Sequence, residues 1–475
     1  MKKNILFTAT EIAEITDGKW INLGGITTFN RIVVDKKEFE EGDLLFTINE
    51  LWNEKYPNIN NYTEMTLDDK GINTISAAVV TKYNFTRETQ RTLLFVKNTL
   101  TALLKLADYV KRNSKAKRVL ITGTEGKTGF KLMAKFLIEK QKEVHAFKSS
   151  ANLDVPILRS VCSIGKDDEF ALIEVAISQP NRAVRRSQIV EPHYVVITNI
   201  SKTHLGYHGS IDNLIKHKSQ SVTYLKKGGV CIINVNHQYK TKLINEINIL
   251  RSDIQILMYG TKETKSYVIN QEFDLVRFGW DATISIMDKE YEIFVPMINS
   301  YAPLAALGVL FFMANVGLNI DKAIEIMVDF IPGETAGIIK KIKFKESQII
   351  VYDHSIRSSV EGLNSAIQDI KNIQYKGRKI SVLANIFDLD EHSIEKVHQD
   401  LGATINSAGF DEVYLLGRNF KYTIPLLKGV KVHYFEDNEL NLLRNKVLQN
   451  IKENDFIFIK AQTKFKFNLI VDDLM

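Results

Sequence analysis

Cysteine is nearly absent, with Cys162 and Cys231 the only two in 475 residues. They stand far apart with no Cys or His at ligand spacing, which excludes a disulfide framework and a cysteine zinc site and fits a reducing compartment. An excess of charge of one sign is missing as well. The 62 Lys and Arg against 56 Asp and Glu leave a formal +6, too dilute for a nucleic-acid groove, and no basic cluster interleaved with aromatics supplies one locally. Long apolar runs are lacking. The longest, Tyr301 to Leu318, is broken by Pro303, Gly308, Asn315 and Gly317, so it predicts a buried core helix rather than a membrane span. Ile5-Leu6-Phe7 is too short for the apolar part of a secretory leader, and a cytoplasmic protein is expected. No internal repeat or low-complexity segment occurs. What remains is ordinary globular composition, 45% hydrophobic and 25% charged, with length enough for about three domains.

The order of elements predicts an α/β protein. Residues 1–98 alternate short β-like runs (Arg31 to Val34, Leu44 to Phe46, Ser76 to Val80) with polar turns, a small α+β domain, and Leu100 to Lys111 reads as an amphipathic helix. From Arg118 the pattern becomes apolar strands alternating with helices: Val119 to Thr122, Phe170 to Ala176, Tyr194 to Ile200, Val230 to Asn234. Continuous apolar strands separated by helices indicate a parallel sheet covered on both faces, here a central domain over 99–334. A second such block, Ile349 to Tyr352, Ile380 to Leu383, Val413 to Leu416 and Phe456 to Ile459, predicts a Rossmann-like third domain over 335–475. Ile331-Pro332-Gly333 reads as the hinge before it.

Three segments could carry chemistry. Val119 to Thr122 runs into Gly123-Thr124-Glu125-Gly126-Lys127-Thr128 and a helix. Two glycines let backbone N–H groups curl round an anion, Lys127 can reach the β/γ-phosphates and Thr128 can ligate Mg²⁺. The loop is shorter than a full Walker pattern, because Ile121 stands where that pattern has its first Gly. Glu174 ends an apolar strand, where a buried carboxylate needs a cation or donors. His204 follows Val195 to Ser201, where an imidazole beyond a strand end could hold a metal.

In this order the segments resemble the Mur ligase family, ATP-dependent ligases that add amino acids or peptides to UDP-N-acetylmuramic acid. The family's G-T-x-G-K-[ST] loop is matched by Gly123 to Thr128, its metal-binding Glu by Glu174, and its T-N-x-x-x-x-H-L segment by Thr198, Asn199, His204 and Leu205. The resemblance implies that Lys218 is the lysine carbamylated by CO₂, and that Asn299 lies on the adenine side. It implies one Mg²⁺ held by Thr128 and Glu174 and a second by His204 and carbamylated Lys218. Val382 to Leu389 with His398 and Gly402, and Asp455 to Ala461, are similar to the D-alanyl-D-alanine-adding branch.

Departures from the family bear on substrate. Its uridine-contacting D-S-R is replaced by Asp35-Lys36-Lys37, and its hinge Arg falls at Thr335-Ala336. In the third domain Asp353 to Ser359 stands for the family's nucleotide-side segment, with Asp353 and Arg357 as the candidate contacts and Arg357 as a replacement for the missing cation. The implied reaction activates a carboxylate as an acyl phosphate and joins it to an amine of an amino acid or peptide. The expectation is an ATP- and Mg²⁺-dependent amide ligase on a non-standard acceptor. A true UDP-MurNAc-tripeptide D-alanyl-D-alanine ligase and a catalytically silent nucleotide-binding scaffold are the alternatives. Oligomeric state is not legible.

Overall fold

A computed structural model of the chain describes residues 6–35, 38–47, 77–81, 92–147, 153–177, 182–201, 208–333, 337–355, 358, 360–386 and 393–475. The chain divides into two compact units, Met1–Thr264 with Phe311–Asn319, and Lys265–Leu310 with Ile320–Met475.

The first unit opens with helix α1 (Ala9–Thr16), started by a capping box in which Thr8 and Glu11 satisfy each other's backbone N–H. A five-stranded sheet follows, β1 (Lys19–Ile21), β2 (Arg31–Val33), β3 (Asp43–Phe46), β4 (Ala77–Val80) and β5 (Thr92–Phe95), in the order β1-β5-β4-β3-β2. Only β1 runs antiparallel to its neighbour. Helix α2 (Thr99–Asn113), capped by Asn98, buries Leu100, Leu103, Leu106, Ala107 and Val110, a spacing that gives one apolar stripe. Phe46, Val79 and Leu94 from the sheet, Leu103 and Leu106 from α2, and Leu120 and Ile173 beyond it share one hydrophobic core. The expected boundary at 98/99 therefore falls inside this unit.

The central sheet is built from β6 (Lys117–Thr122), β7 (Val144–His145), β8 (Phe170–Glu174), β9 (Tyr194–Ile197), β10 (Val230–Asn234) and β11 (Gln255–Tyr259). They are all parallel, in the order β11-β10-β9-β6-β8-β7. The connecting helices include α3 (Lys127–Ile138), α4 (Asp154–Cys162), α5 (Arg182–Val190) and α6 (Ile211–Ser219). Residues 118–122 and 170–174 are buried without alternation, as a sheet covered on both faces requires. The winding reverses at β6, whose neighbours are β8 and β9. Its carboxyl end is thus the switch point at which such sheets bind ligands.

The second unit holds an antiparallel meander, β12 (Tyr267–Asp274), β13 (Gly279–Ile286) and β14 (Lys289–Val295), which lies outside the parallel pattern read from the sequence. Helix α7 (Ala302–Asn315) follows, and its residues from Phe311 on belong to the first unit. Its Phe312 is fully buried and meets the rings of Phe130, Phe170 and Tyr194 at 5.6–6.3 Å. The longest apolar run is a core helix, and no helix among the described residues is long and apolar enough to cross a membrane. The last sheet is β15 (Ile338–Phe344), β16 (Ser347–His354), β17 (Lys379–Ala384), β18 (Glu412–Leu416), β19 (Lys431–Phe435) and β20 (Phe456–Lys460), in the order β15-β16-β20-β17-β18-β19. Only β15 is antiparallel.

Candidate active site

The loop after β6 takes its shape from two glycines and a buttress. Gly123 has φ 147°, and a Cβ there would lie 2.2 Å from Thr198 Oγ1, so no other residue fits without moving that hydroxyl. Thr198 Oγ1 donates to Glu125 O at 2.5 Å, Asn199 O accepts from Thr124 N at 2.9 Å, and Asn234 Nδ2 holds Thr198 O at 2.9 Å. The Thr-Asn pair after β9 thus fixes the loop. Gly126, with φ 79°, begins α3 without a side-chain cap, which leaves the first-turn N–H groups and the positive helix end for an anion.

Lys127 curls back over this loop. Its Nζ donates to the carbonyls of Gly123 and Thr124 at 3.0 and 2.9 Å. Burial lowers its pKa, opposed by the charges of Glu174 and Glu125. An arriving phosphate would offer this ammonium a full negative charge in place of two neutral carbonyls.

Glu174, at the carboxyl end of β8, faces the same loop. Thr128 Oγ1 lies 3.0 Å from both carboxylate oxygens, and Lys131 Nζ lies 3.1 Å from Oε2, with the Lys131 and Glu174 side chains each only 2% exposed. Helical spacing puts Thr128 and Lys131 on one face of α3, so both reach one carboxylate. Burial drives the Lys131 pKa down and Glu174 opposes the shift.

Lys218 completes the group from α6. It is 4% exposed, its Nζ lies 3.4 Å from Ile177 O, and its pKa is pushed down to about 7 by burial and then by the charges of Lys127 and Arg186. Arg186 is itself buried, donating to Ala176 O and, at 2.5 Å, to Asp154 Oδ1, while Arg182 holds Asp154 Oδ2 at 2.7 Å. An amine that is in good part neutral near pH 7 yet faces the charges of Lys127 and Arg186 is chemically suited to become an anion.

A family model for the Mur ligase middle domain matches residues 121–310. Over 454 residues the chain is 24% identical to UDP-N-acetylmuramoyl-tripeptide–D-alanyl-D-alanine ligase of Rickettsia prowazekii, covering 95% of this chain and 96% of that one. Its fold is similar to a crystal structure of MurF from Acinetobacter baumannii, with TM-score 0.79, 18% identity and 98% of each chain covered. It is also similar to MurF of Thermotoga maritima in complex with ADP, with TM-score 0.67, 18% identity, and 93% and 96% covered. Residues 121–310 are thus similar to a Mur ligase middle domain, and the whole chain is similar in sequence and fold to Mur ligases.

The residues of this site fit both ATP and Mg²⁺. The loop amides and Lys127 suit a triphosphate, and the hydroxyl and carboxylate of Thr128 and Glu174 are the hard oxygen donors that Mg²⁺ takes alongside phosphates and water. Among the described residues no group of three or more His, Cys, Asp and Glu could hold a metal by itself.

The structure brings together Gly123, Thr124, Glu125, Gly126, Lys127, Thr128, Glu174 and Lys218. His204 and Arg357 lie outside the described residues, as do Lys36, Lys37, Thr335 and Ala336. Asn299 and Asp353 belong to the second unit. There Asn299 O accepts from Ala302 N at the start of α7, and Asp353 accepts from Ser355 N and Oγ and pairs with Lys340 at 3.3 Å. Sequence reasoning passed over Lys131, Arg186 and Asp154. Lys131 was findable, one helical turn after Lys127. Arg186 and Asp154 were not, because only the fold brings α4 against α5.

Proposed function

We propose that this chain is a UDP-N-acetylmuramoyl-tripeptide–D-alanyl-D-alanine ligase of the cytoplasm, acting in cell-wall peptide synthesis. The observation that carries the reading is the match to relatives of that name along nearly the whole chain. It weighs more than the altered Asp35-Lys36-Lys37 segment, which pointed to a non-standard acceptor. Glu174, buried at the end of β8 with Thr128 Oγ1 3.0 Å from both its oxygens, speaks against a silent nucleotide-binding scaffold, which needs the phosphate loop but no buried carboxylate beside it.

In this reading the tripeptide's terminal carboxylate attacks the γ-phosphorus of ATP, its new O–P bond replacing the bond to ADP. The amine of D-alanyl-D-alanine then attacks the acyl carbon, loses a proton, and phosphate leaves. All reactants at the first step are anionic, so binding and charge compensation carry the catalysis. The loop amides orient the β- and γ-phosphates, and Lys127 exchanges its two carbonyls for the oxygens that gain charge. Thr128 and Glu174 would hold Mg²⁺, which would supply charge neutralisation on the phosphates. Lys131 keeps Glu174 aimed, and Lys218, as its carbamate, would place a second anion opposite. The test is ADP release with UDP-MurNAc-tripeptide and D-alanyl-D-alanine. Turnover dependent on both, and lost in Lys127→Ala, is expected; turnover only with some other carboxylate and amine would refute it.

A further inference from the structure

We infer that Arg159 is the residue that recognises an anionic group of the carboxylate substrate away from the reacting end. This rests on the ligase reading above and adds a specificity residue to it. Arg159 lies in the middle of α4 and is 7% exposed. Its guanidinium sits over the ring of Phe147, 4.5 Å from the centroid, a stacking that fixes the plane of the fork. Its Nε is buried and has no hydrogen-bond partner. Buried donors are almost always satisfied, so an orphan on a charged side chain calls for a partner that the chain itself does not supply.

The position is right for such a ligand. His145 is the last residue of β7 and Phe147 lies just past that strand's carboxyl end, beside β8, which ends at Glu174. Along the carboxyl edge of one parallel sheet the order is therefore Thr198, the phosphate loop, Glu174, then Phe147 with Arg159. A substrate whose carboxylate meets the γ-phosphate near Glu174 can run on across this edge to Arg159.

The surroundings keep the guanidinium as the charged group there. His145, bonded to Ser160 Oγ at 3.2 Å, is pushed down to about 4 by burial and then by the charge of Arg159, so it stays neutral at pH 7. Nη1 pairs with Glu38 Oε2, whose side chain is 49% exposed. A half-exposed carboxylate is a weak partner that a better anion can displace. Glu38 is brought there by Arg31, which grips Asp43 through two bonds of 2.9 and 2.6 Å and also holds Glu38 O at 3.0 Å. Glu38 marks the place of the incoming anion.

The test uses the full chain with ATP, D-alanyl-D-alanine and UDP-MurNAc-tripeptide. Arg159→Met keeps the stem on Phe147 and removes the charge. It should raise the acceptor KM at least tenfold, with kcat and the KM for ATP within twofold, and Arg159→Lys should recover part of the loss. Glu38→Gln should lower the acceptor KM severalfold by releasing the fork. A rise on Glu38→Gln, or an unchanged acceptor KM in Arg159→Met, would mean that the pair is a strap within the fold and would overturn the assignment. If Arg159→Met does not fold, Arg159→Lys and Glu38→Gln decide. Competition by UDP and by MurNAc-tripeptide separates the two sources of the anion: the inhibitor weakened by Arg159→Met carries it, and neither weakened overturns the idea. Should the wild-type chain not turn over this acceptor, the ligase reading fails alone. Arg159 is then tested by titrating inorganic pyrophosphate and citrate into protein saturated with Mg²⁺ and a non-hydrolysable ATP analogue. Weaker binding in Arg159→Met supports the assignment, and equal or absent wild-type binding rejects it.

Discussion

Glu174 is asked to do two things, to balance Lys131 and to help hold Mg²⁺, and a charge-removal cycle separates them. Glu174→Gln keeps an oxygen for Thr128 Oγ1 but strands the Lys131 ammonium, whose side chain is 2% exposed. Breaking a buried pair from one side costs about 3–5 kcal/mol. In a unit of this size that is a fall in thermal midpoint of roughly 6–20 °C. The cost should shrink as the pH rises. Burial already depresses the lysine pKa, and losing its counter-charge depresses it further. The unfolded chain then binds the proton that the folded chain has shed, and stability climbs with pH above the folded value. Adding Lys131→Met removes the stranded charge and should restore most of the midpoint, a coupling of about 3 kcal/mol. Activity should not follow. Both Glu174→Gln and the double variant should release ADP at least about a hundredfold more slowly, because a neutral amide gives Mg²⁺ no charge. Scanning calorimetry and a coupled ADP assay on the four proteins measure both. Single-variant losses that simply add in the double, or a stable double variant with wild-type turnover, would refute the reasoning.

Other consequences are as direct. Lys218, pushed down to about 7, should let kcat rise with pH through that value and with added bicarbonate; turnover indifferent to removal of CO₂ would remove the carbamate from the mechanism. The same amine should add to unit stability as pH climbs from about 7 toward the free lysine value near 10.4, a slope that Lys218→Met abolishes in calorimetry. Gly123→Ala places a Cβ 2.2 Å from Thr198 Oγ1; a tenfold or greater loss of ATP affinity by titration is expected, and unchanged affinity would mean that the loop does not hold the phosphates. In the second unit, Glu412 draws together Arg378, Lys431, Tyr414 and His433 at 2.8–3.2 Å. Glu412→Ala should destabilise by about 3 kcal/mol in urea unfolding while leaving ATP binding intact, and loss of that binding would contradict it.

The parallel sheets and the phosphate loop were determined by the sequence alone, for a local reason. A strand buried on both faces must be apolar throughout, and a chain that wraps an anion must place glycines at fixed offsets. Gly123, Gly126, Lys127 and Thr128 are neighbours in sequence, so their chemistry is legible there. The tertiary structure decided what depends on distant segments meeting. Lys131 acquires its role only when β8 lies beside β6, and Arg186 only when α4 supplies Asp154. Arg159 looks like any helical arginine until Phe147 and Glu38 close around it. Burial and facing partners set the energy of a charged side chain, and both are properties of the folded chain, with no trace in the residues next to it along the backbone.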